Sequence, residues 1–264
     1  MAREKKSQTV NAVLHNYLGS NFGYPSACYL LSSWFYKIIL ANRFILRGKL
    51  ILMKVLSVHV GSLQEMLRNG KKIRTGIFKR KTEGPIKVTR FGLEGDDQAN
   101  KKLHGGIYKA ICVYPSEHYD FWKEELGNPG LSFGDFGENL TTSGLMEREI
   151  HLGDQLRIGS TEIVVTQPRE PCITLNARLD TKDLSARIRK SGRSGFYFSV
   201  VKEGIIKNGD SIECINRDEN KVTVSDFNQI INGAPEVADI ILRASKIDAL
   251  PPKLKGQFLQ KRTT

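Results

Sequence analysis

The sequence predicts an α+β fold: mainly an antiparallel β-barrel with inserted helices and a small C-terminal three-helix appendage. Three observations predict it. From Met53 to about Arg217 the chain is a series of short β-branched and aromatic runs punctuated by glycine turns. Helical patterns in that span are inserted singly instead of alternating with strands, which points away from a doubly wound sheet. After the polar stretch from Asn216 to Asn220 the apolar spacing becomes helical.

Taken in order, Lys54 to Val60 reads as a first strand stopped by Gly61. Ser116 to Trp122 reads as a helix capped by Ser116, with Tyr119 and Trp122 on one face. Asp154 to Ile158 and Glu162 to Thr166 read as paired strands around a Gly159-Ser160 turn. Thr181 to Lys190 reads as a helix with Leu184 and Ile188 on its apolar side and a stop at Gly192. Gly195 to Val201 and Ser211 to Ile215 add two strands. Beyond them Ser225 caps a helix carrying Phe227, Ile230 and Ile231. Pro235 opens a second with Val237, Ile240, Ile241 and Leu242, and Pro251-Pro252 a third with Leu254, Phe258 and Leu259. The expected domains are 53–218 for the barrel and 222–264 for the three helices.

Residues 1–52 read as a non-core N-terminal extension. The greasy patch from Ala27 to Leu40 is interrupted by Lys37 and falls short of the about 20 apolar residues of a membrane span. No small-residue cleavage site follows it. The expectation is no stable membrane insertion, with a membrane-associating arm as the competing reading. Met53-Lys54-Val55-Leu56 looks like a natural start, so translation is expected to begin at Met53, with 1–52 an over-called start.

Charge and cysteine usage narrow the class. The net charge is +12, and residues 1–52 hold +6 of it, with seven basic side chains against one acidic. The remaining 33 of 40 basic and 27 of 28 acidic residues make the rest only mildly basic. That favours anionic ligands and gives little support to nucleic-acid binding. Cys28, Cys112, Cys172 and Cys214 are far apart, without a Cys-x-x-Cys pair. This spacing argues against a structural zinc site or a disulfide scaffold and fits a reducing cytoplasm.

The most informative stretch is Gln167-Pro168-Arg169-Glu170-Pro171-Cys172, which follows the β-branched run Glu162 to Thr166. Two prolines of fixed φ hold a thiol just past a strand, with a guanidinium three residues before it. The same stretch also suits an ordinary buried cysteine. Three further features stand out. Lys102-Leu103-His104-Gly105-Gly106 puts an imidazole beside glycines that let backbone amides approach a ligand, or is a turn with a solvated His104. Phe136-Gly137-Glu138-Asn139-Leu140-Thr141 offers Asn139 and Thr141 as polar groups after a glycine, although turn chemistry explains it equally. Arg169 and Arg178 flank Cys172 as surface charge or as a phosphate site. Dinucleotide, P-loop, nucleophile-elbow and i,i+4 zinc motifs are absent from the sequence.

Read in order, Gly92-Leu93-Glu94-Gly95-Asp96, Lys102 to Gly106, Phe136 to Leu140, Ile150-His151-Leu152-Gly153-Asp154 and Gln167 to Cys172 resemble the MOSC family. That family is named for the C-terminal domain of molybdenum-cofactor sulfurases. The likeness is greatest to its bacterial stand-alone, YiiM-like subgroup, which has a C-terminal three-helix domain and is linked to resistance against N-hydroxylated purine bases. It covers Met53 to the C-terminus. The resemblance implies a MOSC-type barrel holding a molybdenum cofactor (molybdopterin), with Cys172 as catalytic residue and metal ligand. It implies cofactor-binding roles for Asn139, Thr141, Arg169, His104, Gly105, Gly106 and Lys109. One departure stands out: relatives continue His-Gly-Gly with Pro-Asp-Arg, whereas Ile107-Tyr108-Lys109 follows here. Lys109 keeps the charge and lacks the bidentate fork.

The implied activity is a cytoplasmic oxidoreductase that reduces N-hydroxylated compounds such as hydroxylamino purines. A thiolate suits molybdenum as a soft ligand, and the cofactor carries the redox work. No iron–sulfur, flavin or haem motif is present in the sequence, so a flavoprotein or iron–sulfur partner is expected to supply electrons. Two alternatives stand beside this reading. Cys172 could carry a persulfide for metal–sulfur assembly, or the barrel could be a basic RNA- or protein-binding module.

Overall fold

The structure, a computed structural model, describes residues 43–46, 49–234 and 237–261. The patch read at Ala27 to Leu40 and the helix start read at Pro235 lie outside the described residues. Ahead of the expected first strand, β1 (Arg43–Leu46) and β2 (Lys49–Leu52) pair as an antiparallel hairpin that the sequence reading leaves unassigned.

Strand β3 (Lys54–Val60) follows, with Val55 and Val58 fully buried. β4 (Gln64–Arg68) and β5 (Lys71–Thr75) form a separate two-stranded sheet. Asn69 and Gly70 turn it with φ of 51° and 72°, the pair of left-handed residues that a type I′ turn requires. Then come β6 (Arg80–Lys81), β7 (Ile86–Thr89), β8 (Gly92–Leu93), α1 (Lys101–His104) and β9 (Ile111–Pro115). They lead to α2 (His118–Glu125), β10 (Leu140–Ser143), β11 (Gln155–Ile158) and β12 (Thr161–Pro168). α3 (Ile173–Arg178), α4 (Leu184–Ser191), β13 (Phe196–Lys202), β14 (Gly204–Ile206) and β15 (Ile212–Asn216) complete the sheet region. α5 (Val224–Ile231), α6 (Ala238–Ala244) and α7 (Pro252–Lys261) follow.

Eight strands form one curled sheet in the order β15-β11-β12-β13-β9-β10-β3-β6. Every pairing in it is antiparallel except β9 with β10. The expected barrel takes the form of a curled half-barrel sheet, and the reason is visible on β3. Its outer side is divided between β6, which takes His59 and Val60, and a single bridge from Lys54 to Ser211. Between them Asn208 fills the gap: its Oδ1 accepts from Val58 N at 2.7 Å and its Nδ2 donates to Thr82 O at 2.9 Å. No uninterrupted ladder can run there.

Val55, Val113, Leu140, Val165, Phe196 and Phe198 of the sheet pack into one core, which Phe227, Ile230, Ile241 and Phe258 of the C-terminal helices join. Each such side chain stabilises the fold by about 1.5–3 kcal/mol when fully buried. A second apolar cluster surrounds Trp122, where Tyr114 stacks on Phe136 at 4.5 Å and Trp122 Nε1 donates to Tyr114 Oη at 2.7 Å. It backs the loop that delivers Gly137 and Asn139 to the site.

Several helix details differ from expectation. Thr223, not Ser225, caps α5, in a reciprocal box with Asp226, because two donors are satisfied there at once. Ser116 serves the start of α2 through its carbonyl, which accepts from Tyr119 N at 3.0 Å, while its hydroxyl bonds Glu117. Ile231 and Leu242 are exposed.

Candidate functional site

The site begins where β12 runs out. Pro168 and Pro171 bracket a turn that neither a strand nor a helix can extend through, and Arg169 N donates to Gly195 O across it at 3.0 Å. Cys172 stays extended, with φ −95° and ψ 157°, as the residue before α3, and its carbonyl accepts from Leu175 N at 3.1 Å. Its side chain makes no capping bond. Pro171 is buried, Cys172 half-buried and Ile173 exposed, so the cysteine sits where interior meets surface.

Cys172 lines a cavity of about 360 Å³, together with Arg169, His104, Lys109 and Asn139. Gly106 lies instead in a neighbouring cavity of about 180 Å³ that shares Asp96, Asp97 and Gln98 as a wall. Gly105 and Thr141 line neither. Gly105 is nevertheless constrained: a Cβ there would meet Lys101 O at 3.0 Å and Gln98 Oε1 at 3.3 Å. Arg178 is spent elsewhere, in an ion pair with Asp135 at 2.7 Å.

Arg169 is 8 % exposed and forms no ion pair among the described residues. Burial pulls its pKa down, yet Cys112, Tyr197, Cys172 and Glu138 around it more than offset that and push it above the ordinary arginine value. The guanidinium therefore stays charged, with donors and no carboxylate partner, a poise that suits an anion. Gly137, at φ 75°, lies beside it and packs tightly against Ile77. A Cβ at that position would lie 2.9 Å from Ile77 Cγ1 and 3.8 Å from Arg169 Nη2.

The imidazole of His104 is held below the ordinary histidine value, first by burial and then by the Lys109 and Arg169 charges. Lys109 is lowered by burial, with Lys253 adding to it and Glu170 opposing. Its ammonium stands 5.7 Å from the centre of the Tyr197 ring, within cation–π range. Tyr197 and Cys112 face each other across the β13–β9 ladder and line the cavity. Burial raises the pKa of both.

Asn139 has a different part from that of a simple ligand donor. Its Oδ1 accepts from Cys112 N at 3.0 Å and its Nδ2 donates to His59 O at 3.3 Å, so the amide braces β9 to β3. Thr141 is fully buried and donates to Glu138 Oε1 at 2.7 Å. The same oxygen accepts from Gly134 N at 2.7 Å and from the Tyr119 hydroxyl. The Gly137 to Thr141 segment thus organises the wall from behind.

The structure also brings in residues that the sequence reading passes over. Arg68, Ile73, Arg74 and Thr75 reach the cavity from the β4–β5 hairpin, and Lys79 and Asp96 form a buried ion pair in its wall. Gly76 allows the hairpin base to approach; a Cβ there would sit 2.0 Å from Asp97 O. The signal that could have found this arm is Asn69-Gly70, a strong short-range mark of a hairpin.

The sequence model of the MOSC domain matches residues 100–213. The uncharacterized protein YflK of Bacillus subtilis (strain 168) is 38% identical over 208 residues, covering 79% of this chain and 94% of that protein. A protein of Gibberella moniliformis named reductase is 31% identical over 180 residues, and the chain spans 32% of its length. Among solved structures, YiiM from Geobacillus stearothermophilus superposes with a TM-score of 0.67 at 32% identity, covering 80% of this chain and 100% of that one.

Proposed function

The chain belongs to the MOSC domain family as a YiiM-like member, and from that premise we propose that it binds a molybdenum cofactor (molybdopterin) and reduces N-hydroxylated compounds such as hydroxylamino purines. The donor set fits such a group. A half-buried thiol and a buried guanidinium without a carboxylate partner share one cavity. Cys172 is the residue to ligate the metal, and Arg169 the one to take the cofactor's phosphate. When bound, the cofactor supplies two-electron removal of an oxygen atom from the N–O bond.

The chain's own groups handle charge and protons. Reducing an N-hydroxylamine to an amine consumes two electrons and two protons and releases water. Neutral His104 offers one ring N–H and one ring lone pair to the substrate's N-hydroxyl. Lys109, whose pKa burial lowers, is the better placed of the two to give up a proton. The electrons come from a separate flavoprotein or iron–sulfur protein. A named reductase among the relatives supports the oxidoreductase class.

The observation that carries this reading is the meeting in one cavity of Cys172 and the Arg169 guanidinium, which has no ion-pair partner among the described residues. Metal analysis of protein made in cells that synthesise the cofactor tests it. The expected result is molybdenum close to one per chain, lost in Cys172→Ser. Equal molybdenum in wild type and Cys172→Ser overturns it.

A further inference from the structure

Three guanidiniums line the main cavity, those of Arg68, Arg74 and Arg169, and none forms an ion pair among the described residues. The two carboxylates in the same wall are committed elsewhere. Asp96 pairs with buried Lys79, and Asp97 with Lys101 at 3.3 Å, although Asp97 also feels the charge of Arg74. The three cations stand at different depths. Arg169 is buried, Arg68 is half-buried, and Arg74 is exposed on the β4–β5 arm. Arg68 is held by a hydroxyl, not a carboxylate: its Nη1 donates to Thr174 Oγ1 at 3.1 Å. That leaves its charge uncancelled.

We propose that Arg68 and Arg74 form an outer phosphate subsite for the substrate, so that the protein acts on N-hydroxylated nucleotides in preference to free bases. The inference rests on the reductase reading above, in which the cofactor's phosphate occupies Arg169. A neutral N-hydroxylated base has no group to answer two further guanidiniums. Its nucleoside monophosphate carries a phosphate monoester, the anion whose oxygens match guanidinium forks. A ribose between base and phosphate sets the reacting nitrogen apart from that anion, and in the cavity half-buried Arg68 and exposed Arg74 stand nearer the surface than buried Arg169. Binding of the monoester adds no step to the redox balance; it fixes where the substrate lies.

The test uses protein from cofactor-producing cells and three substrates: hydroxylaminopurine as free base, as riboside and as riboside 5′-monophosphate. The monophosphate is expected to have a KM lower than the riboside's by about tenfold or more, an advantage that shrinks with added salt. An Arg68→Ala/Arg74→Ala double variant loses that advantage, its KM for the monophosphate rising to that for the riboside. Arg74→Ala alone, at an exposed position where folding is not at stake, loses part of it. Lys71→Ala, on the same hairpin and outside the cavity lining, leaves it intact. Equal KM for riboside and monophosphate overturns the proposal, as does a preference that survives the double variant. Loss of molybdenum from the double variant also overturns it, by giving the arm to the cofactor. Calorimetric binding of adenosine 5′-monophosphate to the same proteins separates the two claims. If none of the three substrates turns over, the reductase reading fails, and monophosphate binding that depends on Arg68 and Arg74 still decides the subsite.

Discussion

Arg68 Nη1 donates to the Thr174 hydroxyl at 3.1 Å, and this bond fastens the β4–β5 arm to the first turn of α3, two residues beyond Cys172. A charged donor and a neutral acceptor at a part-buried position contribute about 1 kcal/mol. Thr174→Val is therefore expected to lower stability by about that amount. It should also speed amide exchange in β4 and β5 several-fold, leaving β12 and β13 unchanged. Exchange rates in the arm that match wild type would mean something other than this bond holds it.

The two cavity thiols are predicted to differ in reactivity. Cys172 is half-buried, whereas Cys112 is buried with its pKa raised by that burial. Alkylation requires access and thiolate, so Cys112 needs local opening before it reacts. Timed iodoacetamide labelling read by mass spectrometry should modify Cys172 about a hundredfold sooner than Cys112. Comparable rates at the two would refute the burial argument.

His104 should titrate below the ordinary histidine value of 6.5. Burial is the larger cause and the Lys109 charge the next, so Lys109→Met is expected to raise the midpoint toward 6.5. The sign for stability follows from linkage: the unfolded chain binds a proton that the folded one refuses. The contribution is complete above pH 6.5 and is lost as pH falls below it, toward the lowered folded value. Histidine ring resonances followed by NMR, with thermal melts at the same pH values, check both statements. A midpoint unmoved by Lys109→Met would remove the lysine from the account.

Two glycines make a matched pair for substitution. A Cβ on Gly76 would overlap Asp97 O at 2.0 Å, whereas a Cβ on Gly84 meets nothing within 4 Å. Gly76→Ala forces backbone to move and is expected to cost about 3 kcal/mol. Gly84→Ala is expected to fall within about 0.5 kcal/mol of neutral, or to stabilise slightly. Urea unfolding midpoints discriminate the two; similar values would show that the hairpin base tolerates displacement.

Much of the fold is legible because its strongest strands are short β-branched runs beside glycine turns, as at Lys54 to Val60 and Glu162 to Thr166. The open edge of the sheet is not, since it depends on Asn208 and on one bridge at Ser211, neither of which has a sequence mark. At the site, Cys172, Arg169 and His104 stand out in the sequence, Lys109 follows only from the family resemblance, and the four share a cavity. Asn139 and Thr141 carry the same polar chemistry, yet their side chains serve the backbone of β3 and β9 and the Glu138 carboxylate. Residue type alone cannot distinguish an amide that faces a ligand from one that braces two strands. Arg68 and Arg74 go unread for the opposite reason: in a run such as Lys71-Lys72-Ile73-Arg74 they look like ordinary solvated charge.

The β4–β5 arm shares no ladder with the other sheets and is turned by two residues of its own. Its pairing therefore neither needs nor supports the order of the eight-stranded sheet. Residues 64–75 make an exchangeable cassette: relatives can diverge there, or a designer can graft a different arm, and so redirect what the mouth accepts without rebuilding the interior.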